Sequence, residues 1–251
     1  MTFLTALRFL TIIPLPWRRE VAPEQVGRSL TYFPVVGIII GLILVGLNWL
    51  LALLLPPAVV NALLIVCLAV LTGGLHLDGF IDTCDGIAGH KPAEARWQVM
   101  HDSRAGAFGI IGVVCLLLVK YASLNSVPGN LMMATLVLMP VLSRWAIVYA
   151  IFAYPCARPS GLGYTFKLGA SRLRFTIATL IALAVAVALS RLAGLAIMVA
   201  IWVIVVVMAA YLKRKFSGLG GDTYGAINEV AEVCVLIFIC LLAHNQWLWL
   251  A

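Results

Sequence analysis

An all-α polytopic membrane bundle of about seven transmembrane helices, with an amino-terminal interfacial helix, is the fold class this chain predicts, and three observations carry it. Apolar residues fill 63% of the 251 positions and mean hydropathy is +1.08, a composition in which long apolar runs read as membrane spans. The ten acidic residues are confined to a few short stretches between those runs, as expected where a carboxylate inside a bilayer is expensive. Basic residues collect in alternate loops, the pattern that orients a polytopic chain.

One integral-membrane domain is expected over 1–251. Residues 2–13 are too short to span, carry Arg8 and threonines, and suit a helix lying in the interface. The polar segment 17–31 should be aqueous. Spans are expected near 32–55, 58–76, 106–124, 131–154, 174–190, 193–212 and 226–250. Pro56-Pro57 ends the first sharply and turns into the second. Pro140 should kink the fourth, and a short turn at Arg191 to Gly194 joins the fifth to the sixth.

With the amino terminus inside, the loops 77–105, 155–173 and 213–225 share its side and carry Lys91, Arg96, Arg104, Arg158, Lys167, Arg172, Lys213, Arg214 and Lys215. The opposite connections are short, with Arg191 their one clear charge. This fixes cytoplasmic long loops and an outward carboxyl terminus. The net charge of +7 then reports orientation in a lipid bilayer, and no nucleic-acid partner is expected. The six cysteines are scattered without a C-x-x-C and read as packing residues. No basic residue precedes Arg8, and Pro14, Pro16 and Trp17 stand where a cleavage site would be needed, so a cleaved signal peptide is not expected.

The polar stretch from Thr72 to His90 is the one the rest is built to hold. If it is helical, Asp78, Asp82 and Asp85 stand at i, i+4 and i+7, within roughly a 60° arc of one face. Three like charges on one stripe repel, and a divalent cation between them relieves that. Oxygen ligands without a nearby thiolate select a hard ion, Mg²⁺. The bland alternative is an interfacial turn whose carboxylates pair with arginines. Gly74, Gly79, Gly86 and Gly89 point to close approach of a ligand or backbone. His76 and His90 flank the motif, each as a hydrogen-bonding partner or a catalyst.

Four further stretches carry candidates. Asp102 or Ser103 caps the third span's helix, or Asp102 is a fourth metal carboxylate with Arg104 reaching a phosphate. Arg144, well inside the fourth span, costs at least about 2.5 kcal/mol there and should face the interior, paired with a carboxylate or a bound anion. Lys120, near the outer end of its span, should snorkel. The loop from Pro155 to Lys167 wraps a diphosphate with its amides and Arg158 or Lys167, or is a plain connector. Asp222 is either a helix N-cap or, with Asn228, Glu229 and Glu232 in the first turns at the cytoplasmic rim, part of a second metal position or a general base.

The stretches Gly73 to Gly86, Arg104 to Gly109, Ser143-Arg144 and Gly218 to Glu229, with Ala6 to Thr11, resemble the signature segments of cobalamin synthase, adenosylcobinamide-GDP ribazoletransferase. The resemblance spans nearly the whole chain. It implies that adenosylcobinamide-GDP and α-ribazole, or its 5′-phosphate, are joined to give adenosylcobalamin, or its 5′-phosphate, and GMP. It also implies Mg²⁺ and a bacterial inner membrane, and leaves open a homo-oligomer or a complex with other cobalamin-pathway enzymes. On that chemistry the expected metal ligands are Asp78, Asp82, Asp85 and Asp102, with Arg104 and Arg144 on phosphate. Asp82 or Glu229 would position or deprotonate the hydroxyl; His76, Arg158, Lys167, Asp222 and Asn228 are expected to bind substrate. Two rivals stand: a membrane prenyltransferase or CDP-alcohol phosphotransferase, which would also use spaced Asp residues and Mg²⁺, and a cation transporter, which should place its carboxylates near mid-membrane.

Overall fold

The computed structural model describes residues 2–14, 22–89, 92–102 and 104–245. His90, Lys91 and Ser103 lie outside the described residues. In chain order the helices are α1 (Thr2–Leu10), α2 (Pro23–Arg28), a 3₁₀ turn (Ser29–Tyr32), α3 (Phe33–Leu51), α4 (Pro57–Leu71), α5 (Leu75–Ile87), α6 (Ala93–Met100), α7 (Ala107–Asn125), α8 (Gly129–Ala153), α9 (Gly161–Gly169), α10 (Arg172–Phe216) and α11 (Gly221–His244). Among the described residues the one β contact is an isolated parallel bridge between Cys156 and Leu219. The all-α polytopic bundle is therefore as expected.

Five described helices are long and apolar enough to cross a membrane, or six if the bent pair α4 and α5 counts as one span. The expected count of seven is not what length and apolarity give, for two physical reasons. α4 has only 15 residues, and α5 turns 88° away from it, so if α4 crosses the bilayer α5 runs along its plane. α10 counts once although the chain doubles back inside it. Its 45 residues would reach about 68 Å if straight. Yet Leu219, just past its end, donates its N–H to the Pro155 carbonyl at 2.9 Å, and Lys167, just before its start, donates to the Ile151 and Phe152 carbonyls at 2.8 and 2.9 Å, so its two ends lie on one side. The reversal sits at Ser190 and Arg191, which have non-helical dihedrals, Arg191 at φ +44°, and Gly194 then packs against the Ala186 backbone.

α8 is the axis, packed against α3, α10 and α11 and buried along most of its length. Pro140 sits inside it without ending the helix. A proline withholds the N–H that the carbonyl four residues back would receive, here that of Leu136, and Gly41 of α3 lies against that carbonyl. A Cβ on Gly41 would stand 2.6 Å from the Val137 Cα and 2.9 Å from the Leu136 oxygen; one on Gly37 would stand 2.6 Å from the Pro140 oxygen. Small residues four apart on α3 are what let the two backbones meet. Gly41→Val should therefore destabilise the protein by roughly 1–3 kcal/mol, read as a lower Tm in detergent. Gly46→Ala, on a site with no neighbour within 4 Å, should leave Tm unchanged or slightly raised.

α1 is shorter than expected and more than an interfacial strip. Ala6, Leu7 and Leu10 are buried against the bundle, and Phe9 stacks with Phe33 and meets Phe166 at a tilt, its ring centre 4.7 Å from that of Phe166.

Candidate active site

α5 crosses the start of α11 at glycines. A Cβ on Gly79 would stand 2.8 Å from both the Cα and the carbonyl oxygen of Asp222, and one on Gly225 would stand 3.1 Å from the His76 carbonyl. Only hydrogen at these positions lets the backbones touch. The crossing brings Asp78 and Asp82, one turn apart on α5, to Asp222 in the first turn of α11. Partial burial, followed by repulsion from Asp78, Asp222 and Asp85, pushes the Asp82 carboxyl up to about 7, while His101 pulls it the other way.

A free aspartate titrates near 3.9, so between about pH 4 and pH 7 the folded protein binds the extra proton. That contribution to stability is full below the lower value and lost as pH rises through about 7. In chelator-treated protein, Tm should fall across that window, and Asp82→Asn should flatten the fall.

Beside the crossing lies a cavity of about 320 Å³. Asp78 and Asp222 line it, with His101 and Arg158 on the exposed side and His76, Ile147 and Phe166 on the buried side. The loop that closes it is held by the Cys156–Leu219 bridge and by α6. Trp97 donates its indole N–H to the Phe216 carbonyl at 3.0 Å and packs on Gly220, where a Cβ would stand 2.7 Å from the ring. The Arg158 guanidinium sits 5.0 Å over that ring, and its Nη1 lies 3.4 Å from His101 Nε2. Arg96 donates to the carbonyls of Gly86, Ile87 and Gly89 at 2.7 to 2.8 Å, capping α5. α6 thus pins the end of α5 to the end of α10.

The family model described as cobalamin-5-phosphate synthase matches residues 2–240. This chain belongs to that family. It is 38% identical over 243 residues to the adenosylcobinamide-GDP ribazoletransferase of Roseiflexus sp. (strain RS-1), covering 97% of this chain and 90% of the relative. It is 36% identical over 240 residues to that of Geotalea daltonii, covering 95% and 97%, and 38% over 238 residues to that of Synechococcus elongatus, covering 92% and 93%. No solved structure matches the chain.

In this member of the cobalamin-5-phosphate synthase family, several predicted residues stand elsewhere than the spacing suggested. Asp85 leaves the stripe: its two carboxylate oxygens accept the N–H groups of Gly106 and Gly109 at 2.7 and 2.8 Å. It caps α7 from a neighbouring helix, a place for a negative charge at a helix start. Asp102 is held by Arg104, which donates Nη2–H at 2.8 Å and Nε–H at 3.0 Å. This exposed pair, with the Asp102 carboxyl lowered to about 2 by those hydrogen bonds, lines a separate open groove with Asp85. Neither end of α7's cap joins Asp78 and Asp222.

The two glutamates of α11 are not at the rim. Glu229 and Glu232 lie eight and eleven residues beyond Gly221, about 12 and 16 Å along the helix. There Lys120 donates to both at 2.7 Å. Lys120 is 3% exposed and does not snorkel, because two carboxylates neutralise it inside. Arg144 is fully buried and paired with Glu232, as the interior rule demands, and it donates to Ser143 Oγ at 2.8 Å. Asn228 donates to Glu232 at 3.2 Å. The structure thus ties Glu229, Arg144 and Asn228 to an intramembrane charge cluster and not to the cavity wall. Lys167 donates to the Ile151 and Phe152 carbonyls at 2.8 and 2.9 Å, ending α8. Asp222 is not the cap of α11: Gly220 is, its N–H donating to Thr223 Oγ1 at 2.8 Å, which leaves the Asp222 carboxylate for the cavity. His76 and Arg158 do line it.

Sequence reasoning missed His101, Trp97, Tyr224 and Phe9. His101 precedes Asp102 and was legible as a polar residue in a marked stretch; the aromatic residues carried no signal that separates a cavity wall from a core.

Proposed function

We propose that this chain is an adenosylcobinamide-GDP ribazoletransferase, joining adenosylcobinamide-GDP and α-ribazole, or its 5′-phosphate, with release of GMP, at the cytoplasmic face of a bacterial inner membrane. The observation that carries the reading is the gathering of Asp78, Asp82 and Asp222 beside a cavity of nucleoside size, in a chain of this family.

Among the described residues no three His, Cys, Asp or Glu side chains stand closely enough to hold a metal ion by themselves. Asp78 and Asp222 at the cavity offer two carboxylates, and Mg²⁺ is ordinarily bound by one or two carboxylates completed by substrate phosphates and water. The donor set around the cavity is oxygen only at Asp78 and Asp222. Asp78 and Asp222 would hold the ion, which supplies positive charge to the transferred phosphoryl group and the departing phosphate.

A ribose-ring hydroxyl oxygen of ribazole bonds to the phosphorus that carries cobinamide; the 5′-oxygen is not the nucleophile, because the 5′-phosphate substrate carries it already esterified and its product keeps that phosphate. The bond from that phosphorus to the oxygen bridging to GMP breaks, and GMP leaves with that oxygen. Asp82, poised beside the two ligands, receives the hydroxyl proton and passes it to solvent. Arg158, stacked on Trp97 at the exposed side of the cavity, binds phosphate oxygens.

The test is GMP release by the purified protein in nanodiscs. Adenosylcobinamide-GDP with ribazole should release GMP, whereas a CDP-alcohol with a lipid alcohol should give no CMP, and a prenyl diphosphate no diphosphate. Turnover of either alternative without GMP release would overturn the reading. Glu229 and Glu232 near mid-membrane are where a transporter would place acids, but each is paired with a buried cation, which leaves no free carboxylate for a moving ion.

A further inference from the structure

We infer that the buried half of the cavity takes the ribazole base, and that the corrin stays outside the helix bundle. The inference rests on the transferase reading and adds to it which substrate occupies which space.

Size comes first. Pockets for drug-sized ligands run from roughly 300 to 1,000 Å³, and 320 Å³ is the bottom of that range. It admits one nucleoside. A corrin ring with its amide arms is several times larger and cannot enter.

The lining then chooses between the two nucleosides of the reaction. The buried walls are Phe33, Phe166, Ile147 and Ile151, all at most 3% exposed, with Phe9 closing one end. Phe166 meets Phe9 at 4.7 Å and Phe33 edge-on at 5.5 Å, so the wall presents ring faces and edges to a flat guest. Guanine carries donors and acceptors along a whole edge and would lose them against such a wall. The benzimidazole of ribazole carries methyl groups there. It needs few polar partners, and few are supplied. His76 Nε2 and the Tyr224 hydroxyl, on side chains 3% and 4% exposed, line the cavity and have no hydrogen-bond partner among the described residues. A sugar hydroxyl or ring nitrogen of the guest would satisfy them.

Charge agrees. Asp78 and Asp222 face the cavity and, with no ion between them, disfavour a phosphate inside it, so the buried half suits an uncharged base, and any phosphate, the 5′-phosphate of ribazole included, stays toward the open side. With the base against the phenylalanines, the sugar extends toward the carboxylates, where the nucleotide-bearing phosphorus arrives from the open side.

The experiment measures KM for each substrate in wild type and Ile147→Phe, with the base-filled volume reduced in the variant. Wild-type GMP release is recorded first; its absence would count against the transferase reading itself. The inference expects the KM for ribazole to rise at least tenfold in Ile147→Phe with the KM for adenosylcobinamide-GDP within twofold. A rise confined to adenosylcobinamide-GDP would overturn it. Should the variant not fold, equilibrium dialysis of labelled ribazole with wild-type protein decides: binding that excess GDP leaves in place supports the assignment, and binding that GDP displaces, or no binding, overturns it.

Discussion

Asp222→Asn should lower GMP release by about 10²–10³-fold, the scale seen when one group stabilising transition-state charge is removed, while the protein keeps at least its wild-type Tm, since repulsion on Asp82 is relieved. The carboxylate lies at the cavity and caps nothing, since Gly220 and Thr223 already close the start of α11. Loss of activity without loss of fold would therefore report chemistry. The same change at Asp85 should behave differently. Asp85 holds the Gly106 and Gly109 amides, so Asp85→Asn should lower Tm by weakening the start of α7, and any loss of activity should track the loss of fold.

Glu232→Leu should have the largest effect on stability, about 3–5 kcal/mol, because it strands a buried charge. Lys120 and Arg144 balance Glu229 and Glu232 inside the bundle. Removing Glu232 leaves two cations and one carboxylate with no water to screen them. Arg144→Met should be milder, since Glu232 keeps Lys120, and the double variant Glu232→Leu/Arg144→Met should recover much of the loss. Thermal unfolding and membrane yield of the three variants check this. Equal destabilisation by all three would contradict a charge-balanced core.

What could be read in the chain divides along physical lines. Long apolar runs, the Pro56-Pro57 break and the reversal near Arg191 are local, and each reappears in the fold. So does the placing of Asp78 and Asp82 one turn apart on a single helix, which spacing alone gives. Spacing cannot say which neighbour meets that face. Asp85 has the right angle for the stripe but is claimed by the α7 amides, and Asp222, from another helix, takes its place through the Gly79 crossing. Glu229 and Glu232 looked like rim acids because they follow a glycine-rich loop; the helix starts at Gly221 and carries them down to Lys120. Lys167 and Arg158 come from one loop and part company for the same reason, one ending α8 and the other facing the cavity.

The most direct test is Mn²⁺ titrated into chelator-treated protein with a substrate-derived diphosphate present, followed by electron paramagnetic resonance. Wild type should bind the ion, Asp78→Asn and Asp222→Asn should each weaken it at least tenfold, and Asp102→Asn should bind as wild type does. Undiminished binding in Asp222→Asn, with binding lost in Asp102→Asn, would contradict the meeting of α5 and α11 as the metal site.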